Sequence, residues 1–175
     1  SSLLIFADDH PGAWLILTAA FDQIKLSIVD AKLYTNNQHQ ALIELKFLSP
    51  LHWTQSEQHV WLQHLLTNLR LHQLPETPHF QKPNHRQQQF TIRTQVSLNQ
   101  QASLSEMTLV SRDRPELLYR CARVFHELGI NLISARISTA GLRVEDVFLL
   151  RNAHGQALTP AETEQLSTQL EAALI

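Results

Sequence analysis

The sequence predicts an α+β fold of two tandem βαββα(β) units, each an antiparallel sheet with helices on one face. Three observations lead there. First, the chain matches itself at a shift of 104 residues: Asp9 falls on Asp113, Pro11 on Pro115, Phe21 on Phe125, Ala31 on Ala135 and Thr35 on Thr139. Second, conservative pairs fill the gaps, Ile28 on Leu132, Val29 on Ile133, Lys32 on Arg136 and Leu33 on Ile137. The register holds from about position 6 to 35 and then slips by one at Asn36-Asn37-Gln38. A repeat of this kind has to be read before any single element. Third, 175 residues with 43% apolar content suffice for two small packed domains.

The first copy opens with Leu3-Leu4-Ile5-Phe6, a short apolar run that reads as a buried strand. Asp9-His10-Pro11-Gly12 follows as the corner into a helix. Asp9 is suited to cap it, since a carboxylate accepts from the orphan N–H groups of a first turn. Pro11 then sits where its missing N–H costs nothing. Trp14, Leu15, Leu17, Thr18 and Phe21 keep helical spacing to about Gln23. Leu26 to Thr35 reads as a strand, Asn36-Asn37 as its turn and Ala41 to Leu48 as the hairpin partner, with Leu45 and Phe47 on one face. Thr54 to Leu71 is a second helix carrying Val60, Trp61, Leu65 and Leu69, and Thr54 with Glu57 forms a capping box.

The second copy repeats the order. Glu106 to Val110 is a strand, and Asp113-Arg114-Pro115 opens a helix with Leu117, Leu118, Cys121, Val124, Phe125 and Leu128 inward. Gly129 ends it as a residue free to take positive φ. Asn131 to Ser138 and Leu142 to Leu150 form a hairpin around Ala140-Gly141, and Thr159-Pro160 starts a helix running nearly to Ile175. A fourth strand would complete a ferredoxin-like sheet, and Phe90 to Leu98 is the candidate. It can serve either copy. A short connection through Asn99-Gln100-Gln101 favours pairing with Glu106–Val110, which leaves the first copy with an open edge near its first strand. The expected domains are 1–74 and 90–175, joined by a Pro-, Gln- and His-rich linker, 75–89.

Composition excludes several classes. A net charge of -2 offers no basic surplus for phosphate backbones, so nucleic acid is not an expected partner. No run of about 18 apolar residues is present, so no membrane span is expected. No secretory signal opens the chain, and the single cysteine, Cys121, fits a reducing cytoplasm. The absence of an initiating Met suggests a piece of a longer or processed protein. Only 4 glycines weaken any nucleotide-cradling reading.

Chemical constellations are sparse. Asp8-Asp9 are adjacent at a strand end and point apart, which disfavours a metal-binding pair. The chain has 10 His, but His59 and His64 are spaced i, i+5, and His52, His72, His79 and His85 fall in loops or linker, so they read as solvated surface. Glu145-Asp146 face opposite sides of a strand, and a place at a sheet edge or domain contact suits them better than catalysis. Arg136 and Arg143 are placed to pair with them across the hairpin. Cys121 lies on an apolar helix face with no base to activate it.

The second copy resembles the C-terminal ACT domain of bacterial protein-PII uridylyltransferase/uridylyl-removing enzymes. The residues are Leu109 to Leu118, with Asp113-Arg114-Pro115 at their centre, then Gly129 to Ile137, then Arg143-Val144-Glu145-Asp146-Val147-Phe148. The Asp-Arg-Pro opening is shared by many ACT domains, and the Arg143–Phe148 strand is more particular to this enzyme family. The first copy resembles the preceding ACT domain of the same enzymes. The resemblance implies a regulatory, glutamine-sensing region in nitrogen control with no catalytic residue and no cofactor of its own. The transferase and hydrolase domains of the same polypeptide, magnesium-dependent in the resembled parent, would precede it. The implied partners are glutamine, those catalytic domains and, through them, the PII protein; the open edge adds a possible homodimer.

A strand-to-helix corner suits an amino acid. Its free N–H groups and positive helix end attract an α-carboxylate, while Asp9 or Asp113 accepts from an ammonium or amide. Candidate ligand residues are therefore Asp9, His10, Pro11 and Gly12 in the first corner and Asp113, Arg114, Pro115 and Glu116 in the second. Leu26-Ser27 or Ile130-Asn131, opening the second strands, are expected to complete the pocket. Gly12 leaves room for close approach. Glu116 stands where the resembled family has Gly and would repel a carboxylate or fill the space, which ranks the first corner higher. Each Asp-x-Pro corner is also, in the first instance, a helix cap. The alternative to sensing is an ACT-type interaction or dimerisation module that binds no small molecule; an independent enzyme lacks any supporting constellation.

Overall fold

A computed structural model describes residues 1–36, 40–48, 53–74, 95–113, 116–140 and 143–174. Among them the order is β1 (Ser2–Asp8), α1 (Ala13–Gln23), β2 (Ser27–Thr35), β3 (Gln40–Leu48), α2 (Gln55–Leu71), β4 (Gln95–Gln100), β5 (Ser105–Arg112), α3 (Leu117–Glu127), β6 (Asn131–Arg136), β7 (Thr139–Ala140), β8 (Arg143–Arg151) and α4 (Pro160–Ala173). The strands form two antiparallel sheets, β1-β3-β2 and β4-β5-β8-β6, with β7 added beside β8. These are two tandem ferredoxin-like units of α+β class. The linker 75–89, the start of the strand predicted from Phe90, the turn at Gly141 and the site candidates Arg114 and Pro115 lie outside the described residues.

Alternation dictates the sheets. On β3, Ala41, Ile43, Leu45 and Phe47 turn inward while the residues between them turn out. Both copies carry the same irregularity. The register skips between Ile28 and Asp30 on β2 and between Leu132 and Ser134 on β6, positions the repeat makes equivalent. β2 and β6 lie side by side at the seam between the sheets, with no ladder joining them. The remaining strand, β4, pairs with β5, so among the described residues β1 is an edge strand of a three-stranded sheet.

The helices form one layer in which α2 and α3 flank α1, and α4 lies beyond α3. α1 is apolar around its whole circumference, and every residue from Ala13 to Phe21 is buried, as expected of a helix enclosed by a sheet and two other helices. Phe21 meets Phe47 and Trp61 edge-on, with ring centroids 5.2 and 5.1 Å apart. α2 is amphipathic, burying Leu65 and Leu69. Val60, read with the same apolar set, is 57% exposed: helical spacing puts it nearly half a turn away from the Leu65–Leu69 stripe. Both outer helices start with complete capping boxes, Thr54 with Glu57 and Thr159 with Glu162. Gly129 closes α3 at φ 65.

Candidate functional site

α1 and α3 run antiparallel. The start of α1 meets the last turn of α3, where a Cβ on Gly12 would lie 3.8 Å from the His126 ring. The end of α1 meets the start of α3, where Asp22 receives the Glu116 backbone N–H. Each corner is therefore completed by the other unit. The first corner shares an end of this helix pair with the segment leading into Ile130-Asn131, and the second with Leu26-Ser27.

The first corner does not fold as a cap on Asp9. Pro11-Gly12 form a turn of their own, so α1 begins at Ala13 with Gly12 at the N-cap and no side-chain cap. That leaves Asp9 ahead of the Pro11-Gly12 turn. His10 takes the role instead: its Nδ1 accepts from the Gly12 N–H at 3.2 Å, and its carbonyl from Ala13 N–H at 3.0 Å. An accepting Nδ1 leaves the proton of a neutral ring on Nε2, and that atom is buried without a partner. His10 stacks on His72 with centroids 4.0 Å apart. Burial, with His72 and His126 nearby, lowers its pKa against the opposing pull of Asp9. Of the histidines read as solvated surface, His72 joins His10 and His126 in a cluster at this corner. His72 arrives from the left-handed C-cap of α2 and His126 from the last turn of α3. Gly12 has φ -91, so it needs no glycine for conformation, and its open side faces the His10 ring at 3.4 Å.

The second corner inverts this. α3 has Glu116 at its N-cap at φ 73, again with no side-chain cap, so Asp113 is not the cap there either. Left-handed backbone is the conformation glycine adopts freely and glutamate does not. The Glu116 carboxylate is held within its own helix. It is drawn back along its own helix to Arg120, whose Nε and Nη2 donate to one oxygen at 2.9 and 2.8 Å. Arg120 also donates to the Ala173 carbonyl at 2.8 Å, tying α3 to α4.

Four acidic groups surround this end. Asp22 is pushed up to about 7 by burial, with the nearby Glu116 charge adding and its N–H opposing. Asp146 is also pushed up to about 7, chiefly by burial and further by Asp113. Its Oδ1 accepts from Ser138 N–H at 3.1 Å, and its Oδ2 is buried without a partner. Asp113 is exposed by surface area yet sits amid enough protein to raise its carboxyl. Asp146 is not at a sheet edge: β8 is an inner strand, and its alternation turns Asp146 into the core and Glu145 to solvent. Arg143 pairs loosely with Glu145 along the same strand, at 3.8 Å.

The strand openings contribute backbone more than side chain. Leu26 and Ile130 are core residues whose N–H groups close α1 and α3 onto the Phe21 and Phe125 carbonyls. Ser27 is exposed, and Asn131 donates to the Asn152 carbonyl at 3.4 Å. Among the described residues no group of three or more His, Cys, Asp or Glu is placed to hold a metal ion, and no helix is long and apolar enough to cross a membrane.

No family model matches the chain. Curated relatives do. The bifunctional uridylyltransferase/uridylyl-removing enzyme of Bordetella pertussis is 30% identical over 183 residues, 99% of this chain and 20% of the relative. That of Pseudomonas syringae pv. tomato is 29% identical over 181 residues, with the same 20% share. Over 88 residues, 49% of this chain, identity to the Haemophilus influenzae enzyme reaches 41%. From end to end the chain is similar to a part of these enzymes. It spans about a fifth of the length of the relatives it matches from end to end.

Proposed function

We propose that this chain is the regulatory, amino-acid-sensing part of a uridylyltransferase/uridylyl-removing enzyme, with glutamine as its effector and no catalytic group of its own. The observation that carries the reading is the two-sided first corner. Asp9, His10 and Gly12 come from one unit and His126 from the other, so a ligand held there has different affinities for different arrangements of the units. Differential affinity is what couples a small molecule to a distant active site. The chemistry fits an amino acid. Asp9 accepts from an ammonium, the histidines supply N–H donors for a carboxylate or side-chain amide, and the neutral state of His10 avoids a fixed charge that would favour glutamate over glutamine. The catalytic domains of the same polypeptide and, through them, the PII protein are the partners this reading requires.

The test is calorimetric titration of the chain with glutamine, with glutamate and asparagine as controls. One-to-one binding selective for glutamine is the expected result. No heat with any amino acid at millimolar concentration contradicts sensing by this chain. One observation favours a second reading as an interaction module: Leu4, Phe6, Tyr34 and Leu42 are exposed on the face of the first sheet opposite the helices, an apolar surface of the sort that mediates protein contacts.

A further inference from the structure

The two sheets differ by one strand, and the difference falls at equivalent places. In the second sheet β4 pairs with β5 along Gln95–Gln100, joined to it by a turn in which Gln101 N–H donates to the Leu104 carbonyl at 2.8 Å. In the first sheet β1, the counterpart of β5 at the 104-residue shift, has β3 on one side and no described strand on the other. Ser1 exchanges both backbone bonds with Phe47. Alternation along an antiparallel ladder then turns the N–H and C=O groups of Leu4, Phe6 and Asp8 toward the free edge.

Burial records the same gap. Met107, under cover of β4, is 0% exposed, whereas its counterpart Leu3 is only partly buried. α4 packs on β4, while α2, which holds the same place in the first unit, leaves Leu66 49% exposed. The edge also lacks the usual protection. Ser2–Asp8 contains no Lys, no Pro and no bulge.

We propose that the free edge of β1 is the docking place of an extended strand supplied by the polypeptide immediately ahead of Ser1, completing the first sheet as β4 completes the second. The repeat identifies the occupant. β4 precedes β5 by one short turn, so the same unit written at the first copy places its fourth strand just before β1. The relatives matched end to end have about four-fifths of their length outside the matched span, length enough to hold such a strand. The strand is about six residues long, antiparallel to β1. It carries apolar side chains at alternate positions to cover Leu3 and Ile5, as Val96 and Leu98 cover Met107 and Leu109. Each unit is then a ββαββα module.

The experiment is amide hydrogen exchange at Leu4 and Phe6, with light scattering to fix the oligomeric state. Three forms are compared: this chain, this chain carrying the ten residues that precede it in its natural longer polypeptide, and this chain carrying a copy of its own Gln95–Leu104 ahead of Ser1. The expected result is fast exchange in the monomeric chain and slowing of at least about 100-fold in both extended forms. Four results overturn the proposal. One is slow exchange already in the monomeric short chain, which assigns the edge to residues within it. Another is protection that appears only in a dimer and persists as a dimer in the naturally extended form, which assigns it to a second copy. Protection by the copied strand but not by the natural extension removes the upstream assignment. Failure of both extensions shows that the edge accepts no strand.

Discussion

At the first corner a glycine occupies ordinary right-handed backbone, φ -91, beneath a cluster of histidines; at the equivalent second corner a glutamate occupies left-handed backbone, φ 73, amid carboxylates. The residue with conformational freedom and the position that requires it have parted company. Gly12 matters for the space it leaves beside His10 and His126. Glu116 is held against its backbone preference by the paired bonds to Arg120. Equivalent positions in a repeat thus share a fold without sharing a cause, and the two corners carry groups of opposite titration behaviour.

The comparison breaks first if the shared core is not shared in energy. Phe21 and Phe125 are repeat equivalents, 1% and 3% exposed. Phe21→Ala and Phe125→Ala are each expected to cost about 3–5 kcal/mol, measured by urea unfolding. A difference of more than about 2 kcal/mol between them would mean the units do not contribute comparably.

The second expectation is pH dependence. Asp22 and Asp146 at the second corner hold their protons up to about pH 7 in the folded chain, against 3.8 as their ordinary value. A raised folded pKa gives stability that is complete below the unfolded pKa and is lost as pH rises through the folded one. Stability should therefore fall between about pH 4 and 7, by up to about 4 kcal/mol for each carboxyl. Asp146→Asn should flatten that fall. His10, with its pKa lowered from 6.5, works in the other direction: its contribution is complete above pH 6.5 and is lost as pH drops below it. Stability that rises steadily from pH 4 to 7 would contradict the burial of the two carboxyls.

A smaller effect is expected from Arg120→Met, which frees the Glu116 carboxylate and the Ala173 carbonyl together. About 1–3 kcal/mol should be lost, visible as a lower denaturation midpoint. The smallest effects sharpen the comparison most. Glu116→Gly and Glu116→Ala both remove the ion pair, but only glycine relieves the left-handed backbone, so Glu116→Gly should be the more stable of the two by about 1 kcal/mol. At the first corner, where φ is negative and a Cβ meets the His10 ring at 3.4 Å, Gly12→Ala should be neutral to within about 1 kcal/mol. The same sign of preference for glycine at both corners would erase the distinction.

Much of the fold was legible in the residues because its signals are local and doubled. The Thr54–Glu57 box, the glycine at 129 and the alternation of Ala41 to Phe47 each specify one element, and the repeat checks one copy against the other. The corners were less legible. Asp9-His10-Pro11-Gly12 is compatible with a helix starting at Pro11 or, after a Pro-Gly turn, at Ala13, and only the tertiary fit of α1 decides. A glutamate gives no sign of positive φ. The signal that pointed to it was the glycine the resembled family carries at position 116. The His10–His72–His126 cluster joins a loop, a helix end and a second unit, so no spacing in the sequence announces it. Asp146 was visible as one face of a strand, but its perturbed proton affinity depends on how deeply β8 lies between β5 and β6.

The account rests on the first corner being a ligand site built from both units. It is tested most directly by calorimetric titration of glutamine into Asp9→Ala, His126→Ala and Asp113→Ala beside the unaltered chain, each variant first shown to be folded. The account predicts binding to the unaltered chain that survives in Asp113→Ala and is lost in both Asp9→Ala and His126→Ala. Binding that is lost in Asp113→Ala but kept in the other two would place the ligand at the second corner and contradict it.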